Sequence, residues 1–159
     1  MKVLIISDTH RSLKNLKIVL EREGTVDMLI HLGDVERQMA DIRQMVDCPI
    51  HMIAGNNDFL SGLPSEEEFE IGRYKVFITH GHSYLVNITE ERLQDVARML
   101  GADIVMYGHT HMPAITVEED LITMNPGSLT YPRQSGRKPS YIVMTLDDAG
   151  EAAFEIRYL

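Results

Sequence analysis

Five short stretches of this chain carry side chains that bind metal ions. They are Asp8-Thr9-His10, Gly33-Asp34, Gly55-Asn56-Asn57-Asp58, Thr79-His80-Gly81-His82 and Gly108-His109-Thr110-His111. Carboxylates, carboxamides and imidazoles together make a mixed oxygen and nitrogen donor set without thiolate, which suits manganese, iron, zinc or nickel better than copper(I). Each fragment alone has an ordinary explanation. Gly33-Asp34 is what a turn or a helix cap looks like, and Gly55-Asn56-Asn57-Asp58 is what a turn looks like. His109-x-His111 is harder to dismiss, because two imidazoles two residues apart after a glycine have no evident packing purpose. The weight lies in the conjunction: each of the five fragments follows an apolar run within a few residues. His31 and His51 fall inside such runs instead and read as core or sheet-surface residues, as does the lone Cys48.

The apolar runs are the elements that must position these side chains. Val3-Leu4-Ile5-Ile6 is short, continuous and branched, the pattern of a strand buried on both faces. A helix is expected from Ser12 as its cap, with Leu13, Leu16 and Leu20 at helical spacing and Gly24 ending it. The unit repeats, with a strand at Met28-Leu29-Ile30-His31-Leu32, a helix burying Met39, Ile42 and Val46, and a third strand from Ile50 to Ala54. Glu68 to Ile71 and Tyr74 to Thr79 read as strands joined at Gly72-Arg73. A helix capped by Thr89 and burying Leu93, Val96, Ala97 and Leu100 leads to a strand at Ile104 to Tyr107. Beyond it, Ile115, Leu121 to Thr123, Tyr141 to Leu146 and Phe154 to Tyr158 read as strands with no helix among them.

Strands alternating with helices predict an α/β fold with largely parallel pairing and right-handed crossovers. Each half of the chain is expected to contribute one sheet, the two packing face to face with helices outside, as a single domain over residues 1–159. In such sheets ligands bind beyond the carboxyl ends of the strands, which is where all five fragments fall.

Composition narrows the function. The 159 residues carry a net charge of −9, which opposes binding to long nucleic acid or to an anionic membrane. A small anionic substrate stays compatible, since bound cations reverse the field inside one cleft. No apolar run reaches the length of a membrane-spanning helix, and with a strand expected from Lys2 no leader is expected. One cysteine excludes an internal disulfide. A cytoplasmic location is expected, and Asn87-Ile88-Thr89 is then a chance match to a glycosylation sequon.

The order D-x-H, GD, GN-x-D, THGH and GHTH, running from Asp8 to His111, resembles the calcineurin-like metallophosphoesterase superfamily and, within it, the small phosphodiesterases of the YfcE type. Asn125-Pro126-Gly127-Ser128 extends the match. The resemblance implies a four-layer αββα sandwich with two central mixed sheets and two divalent metal ions, Mn2+ foremost with Fe, Ni or Zn as alternatives. By motif, Asp8, His10 and His111 would hold one ion, Asn56, His80 and His109 the other, and Asp34 would bridge them. The implied reaction is hydrolysis of a small phosphate ester by a hydroxide bridging the two ions.

Four residues beside these ligands are assigned lesser roles. Asn57 stands where the superfamily often carries a histidine that assists the leaving group. Its amide cannot replace that proton, so esters with good leaving groups, such as aryl phosphodiesters, are expected to react best unless His82 or a water on the metals donates. Arg11 and Arg133 are candidate substrate-binding cations, with solvated surface residues as the alternative. A phosphomonoesterase would share every ligand. A non-catalytic scaffold, as in the retromer subunit of this fold, would be expected to show degraded ligand positions. Self-association into a homo-oligomer is left open, since no heptad or isolated apolar stripe marks it.

Overall fold

The computed structural model describes all residues, 1–159. In chain order the elements are β1 (Lys2–Ile6), α1 (Lys14–Glu23), β2 (Met28–His31), α2 (Met39–Arg43), β3 (Ile50–Met52), β4 (Glu66–Ile71), β5 (Tyr74–Thr79), α3 (Glu91–Met99), β6 (Ile104–Met106), β7 (Pro113–Val117), β8 (Ile122–Pro126), β9 (Ser140–Leu146) and β10 (Ala152–Tyr158), with a 3-10 turn at His82–Tyr84. They form two mixed five-stranded sheets, ordered β10-β9-β1-β2-β3 and β4-β5-β6-β8-β7. No helix is long and apolar enough to cross a membrane.

Side-chain alternation in β1 shows how the layers are built. Val3 and Ile5 face the second sheet, joining Ile30, Ile53, Val76, Ile78, Ile104 and Met106 in the core between the sheets. Leu4 and Ile6 face outward, where Leu16 and Val19 of α1 and Ile42 of α2 cover them. On the far side, Phe77 and Val105 meet Leu93 and Ala97 of α3. The result is an α/β/β/α sandwich. A strand buried on both faces has no place for a polar alternate, which is why the run at Val3–Ile6 is unbroken.

The expectation that each half of the chain makes its own sheet is corrected. The last two strands return to the first sheet: β9 pairs antiparallel with β1, placing Val3 opposite Met144 and Ile5 opposite Ile142. Without it, the free edge of an apolar central strand would be exposed. β9 suits the position because Ser140 to Met144 are buried on both faces.

Helix boundaries also shift. α1 starts at Lys14 with Leu13 at its N-cap and no side-chain cap, so Ser12 is not the cap. Glu90, rather than Thr89, is the N-cap of α3, although the Thr89 hydroxyl accepts the Glu91 N–H at 3.3 Å. α2 is one short turn; Val46 lies past its end yet still packs on the outer core. β2, β3 and β6 stop one or two residues before their apolar runs do.

Candidate metal centre

β1, β2 and β3 run parallel in one sheet, and β5, β6 and β8 run parallel in the other. Asp8 and His10 follow β1, Asp34 follows β2, Asn56 and Asn57 follow β3, His80 follows β5, and His109 and His111 follow β6. Backbone bonds lace these loops together: Asp8 N–H to Gly33 O at 3.0 Å, His10 N–H to Asp34 O at 3.0 Å, and Gly108 N–H to His80 O at 3.2 Å.

Five of these residues have left-handed backbone: Asp8, His10, Asp34, His109 and His111, with φ between 42° and 67°. Asp and His tolerate this region better than branched residues, but each instance still costs about 1 kcal/mol or more. The neighbouring glycines are needed for a different reason. A Cβ on Gly55 would run into the Asp34 carboxylate, and one on Gly108 would strike the Ser7 hydroxyl and lie 2.9 Å from Asp8 Oδ2. The glycines of the GN and GH fragments thus let backbone approach the carboxylates.

At the centre the donor atoms converge. Asp8 Oδ1 lies 3.0 Å from His111 Nε2, 3.6 Å from His10 Nε2 and 4.0 Å from His80 Nε2. Asp34 Oδ2 lies 3.7 Å from His10 Nε2 and 3.6 Å from His80 Nε2. Asn56 Oδ1 is 3.2 Å from His80 Nε2, and His10 Nε2 is 3.2 Å from His111 Nε2. Asp8, His10 and His111 form one group able to hold a metal ion, and Asp8, Asp34 and His80 form another.

Hydrogen bonds at the back of each imidazole fix what faces the centre. His80 Nδ1 donates to Leu32 O at 2.6 Å, and His111 Nδ1 donates to Tyr131 O at 2.7 Å. A carbonyl only accepts, so each Nδ1 carries a proton, and in the neutral tautomer that this selects each Nε2 turns a lone pair inward. His10 Nδ1 does the same toward Glu36 Oε1 at 2.8 Å. This is the arrangement found behind metal-binding histidines.

Asp8 is fully buried, and its Oδ2 accepts from the Ser7 hydroxyl at 2.6 Å and the His109 N–H at 3.1 Å. Its Oδ1 has no hydrogen-bond partner. The 3.0 Å approach to His111 Nε2 therefore sets lone pair against lone pair, an arrangement only a cation or a proton resolves. Burial pushes the Asp8 carboxyl up, but His10, His111 and His80 outweigh that and hold it far below the usual carboxylate range. Against burial, Asp8 and Glu36 raise His10 to about 9. A buried carboxylate oxygen without a hydrogen-bond partner, facing the Nε2 atoms of His10, His80 and His111, fits a divalent ion.

The remaining candidate residues divide. Asn57 turns both its backbone N–H and its Nδ2 onto Asp34, at 2.9 and 2.7 Å, and so fixes that carboxylate. The His109 ring is 5.2 Å from that of His80 and 6.0 Å from that of His82, outside both Asp/His groups. His82 is half-buried with its Nδ1 unpartnered. Burial and then the charge of His80 lower the pKa of both His82 and His109. Arg11 is exposed and pairs through Nε with Glu36 Oε2 at 2.5 Å. The exposed Arg133 donates its backbone N–H to His111 O at 3.0 Å.

The two histidines set aside from the sequence are elsewhere engaged. His31 is completely buried between Thr9 Oγ1 at 3.1 Å and the Gly33 N–H at 3.2 Å, and burial lowers its pKa to about 4. His51 pairs with Glu67 and stacks on Phe69 at 3.7 Å between ring centroids.

With this geometry in place, comparison with known proteins is direct. The calcineurin-like phosphoesterase superfamily domain matches residues 1–149. The chain belongs to that superfamily. It is 35% identical to the probable metallophosphoesterase YsnB of Bacillus subtilis, over 97% of this chain and 90% of that protein. It is 32% identical to a phosphodiesterase, MJ0936, of Methanocaldococcus jannaschii, over 80% and 83% of the two chains. It also resembles the crystal structure of Vps29 from Entamoeba histolytica complexed with Zn2+, with a TM-score of 0.80, 26% identity and 99% of each chain covered.

Several residues that shape this superfamily's site here were missed in the sequence. Asp58 was seen only as part of a turn, yet its carboxylate accepts backbone N–H groups of Val35, Glu36 and Gly55 at 3.1, 2.6 and 2.8 Å, tying the Asp34 loop to the Asn56 loop. Its position three residues after Gly55 is a usable signal. Glu36, behind His10, has none. Asn125 and Ser128 were noted only by resemblance, and the structure supplies their work. Asn125 Nδ2 donates to Gly108 O at 2.8 Å and Thr110 Oγ1 at 3.0 Å, while Ser128 Oγ donates to Asp8 O at 2.8 Å. The end of β8 and the loop after it thereby clamp the last and first ligand loops.

Proposed function

We propose that the chain is a phosphodiesterase working with two divalent metal ions, Mn2+ foremost, on a small or activated ester. In this reading Asp8, His10 and His111 would hold one ion, Asn56, His80 and His109 would hold the other, and Asp34 would serve both. The observation that carries it is the unpartnered Asp8 Oδ1 facing the Nε2 atoms of His10, His80 and His111. Two such ions, when bound, act as Lewis acids toward the phosphoryl oxygens and lower the pKa of water so that it attacks phosphorus.

The protein's own groups supply the rest. Leu32 O, Tyr131 O and Glu36 lock the three imidazoles in the ligating tautomer. Asn57 holds Asp34 in register. Asn56 contributes a neutral oxygen, which limits repulsion of an incoming phosphate. No strong acid is assigned to the leaving group: Asn57 is an amide, and burial lowers the pKa of His82. Esters whose leaving oxygen departs unprotonated are favoured. The similarity to MJ0936 supports diesters as substrates. The single thiol, Cys48, is consistent with action in the cytoplasm.

The test is metal-free protein reconstituted with Mn2+, Fe2+, Ni2+ or Zn2+ and assayed on bis-p-nitrophenyl phosphate and p-nitrophenyl phosphate. Turnover of the diester above the monoester is expected, with log kcat falling as leaving-group pKa rises; a flat dependence would reject the leaving-group argument. A second reading, a metal-binding protein-interaction scaffold, is supported by the likeness to Vps29. Stoichiometric metal binding without turnover of either ester would favour it.

A further inference from the structure

A cleft of about 470 Å³ opens directly beside the metal centre, lined by Arg11, Arg37, Met39, Asn57, Phe59 and Leu60 among others. It is continuous with the site, because Asn57 also grips Asp34 and Glu36, in the same wall, also holds His10. Two properties suit it to a ligand; the first sets it apart from the cavity that Thr130, Tyr131, Pro132, Arg133 and Arg137 line, and the second, arginines free to meet an anion, the two cavities share.

The first property is an apolar lip. Phe59 is 88% exposed and Leu60 is fully exposed, side by side at the mouth. Neither joins any of the three hydrophobic core clusters, so the fold gains nothing from keeping them apolar. Adjacent large apolar side chains in solvent beside a polar site mark a binding surface. The second property is positive charge in an acidic protein. Arg37 makes no ion pair, and Arg11 uses only its Nε on Glu36, leaving the rest of its guanidinium exposed. The acids in the wall are already engaged, Asp58 by three backbone N–H groups and Glu36 by His10 and Arg11.

We infer that this cleft receives the non-leaving substituent of the phosphodiester as a planar aromatic ring stacked on Phe59, with Arg37 and Arg11 turned toward the phosphate. A flat π-face accepts an aryl ring or a nucleobase alike, and stacking is worth about 1–3 kcal/mol per ring. Guanidinium groups grip phosphate oxygens in preference to neutral oxygens. The inference deepens the phosphodiesterase reading and rests on it for turnover, though not for binding.

Two measurements test it. The first compares bis-p-nitrophenyl phosphate with methyl p-nitrophenyl phosphate, which share a leaving group and differ only in the retained substituent. The wild-type kcat/KM ratio is expected to favour the aryl ester roughly tenfold, mainly through KM, corresponding to about 1.4 kcal/mol. Phe59→Ala should collapse that ratio to near one, and Phe59→Tyr should restore it. A ratio near one in the wild type, or one unaffected by Phe59→Ala, overturns the inference while leaving the phosphodiesterase reading intact.

The second needs no turnover. The chain has no tryptophan, so fluorescence of the Phe59→Trp variant reports on this position alone. Saturable quenching by phenyl phosphate or thymidine 5′-monophosphate, absent with methyl phosphate and weakened by Arg37→Ala, is expected. Tighter binding of the nucleotide than of phenyl phosphate identifies a nucleobase as the natural ring, and the reverse identifies a simple aryl group. Equal responses to methyl and aromatic phosphates overturn the inference even if the protein proves inactive on both esters.

Discussion

Two buried carboxylates, Asp8 and Glu23, lie in the same half of the molecule and show what separates a site from a brace. Glu23 closes α1 with its side chain almost entirely buried, and every oxygen is matched. Oε1 accepts from Tyr141 Oη at 2.8 Å, while Oε2 meets Arg157 Nη1 at 2.6 Å and Lys2 Nζ at 2.9 Å. Those partners come from β9, β10 and β1, so one acid pins a helix to three strands. Burial opposes its ionisation, yet Lys2, Arg157 and Tyr141 hold it at about 2. Asp8 is buried as deeply, but its Oδ1 has no partner, its backbone is left-handed, and it faces the Nε2 atoms of three imidazoles. A group compensated by the protein itself stabilises the fold. One left uncompensated needs something the chain does not contain, and that is what makes it a site.

The sharpest break of this comparison is Asp8→Asn. It should lower metal-dependent diester turnover by about 10³-fold, equivalent to about 4 kcal/mol of transition-state stabilisation. The urea midpoint of the metal-free protein, read alongside, separates loss of metal binding from loss of fold. A fall in that midpoint with turnover intact would reverse the assignment.

Glu23→Ala should do the opposite. Leaving Lys2 and Arg157 without their shared acid is expected to cost about 3 kcal/mol of stability, which lowers Tm by roughly 6–12 °C for a domain of this size. Specific activity of the folded protein at low temperature should be retained. Metal added at about 100 times its Kd should raise wild-type stability by about 2.7 kcal/mol. It should do nearly the same for Glu23→Ala and much less for Asp8→Asn, as read by thermal denaturation with and without chelator.

A finer probe is Glu36→Ala, which removes the acceptor behind His10. Metal affinity measured by titration calorimetry should weaken roughly 10- to 100-fold, with little change in chelated stability. The smallest effect is in pH. Because folding depresses the pKa of Glu23, its contribution is fully present above the unfolded value near 4.5 and is lost as pH falls toward about 2. The urea midpoint of the wild type should therefore drop across that interval, and that of Glu23→Gln should drop less. Parallel curves would remove Glu23 from the account of acid stability.

Much of this was legible in the residues. The run Val3–Ile6 announced a strand covered on both faces, and alternation of such runs with helical spacing announced the α/β class. Local order was enough to flag Asp8, His10, Asp34, Asn56, His80, His109 and His111, because each follows an apolar run. Less visible was anything that depends on partners far along the chain. Ser12 and Thr89 have the chemistry of caps, but the chain enters α1 and α3 at Leu13 and Glu90, and tertiary packing overrode the local preference. β9 and β10 gave no sign that they would pair beside β1, since hydrophobic pattern reports burial and not which neighbour provides it. Glu36 carried no signal, and Asp58 stood out only as the end of the Gly55-Asn56-Asn57-Asp58 fragment, where a turn explains it.

What the sequence determined by itself was the inventory: which donor atoms exist, in what order, and that each stands where a buried element gives way to a loop. Those facts are short-range, set by the alternation of side chains and by turn chemistry within a few residues. What only the tertiary structure decided was which atoms face one another and in what state. The tautomers of His80 and His111 depend on carbonyls 48 and 20 residues away, and the Asp8 loop is held by Ser128, 120 residues on. Contacts of that reach arise only when two sheets close on a shared core, so the charge left unbalanced at their common edge is a property of the fold.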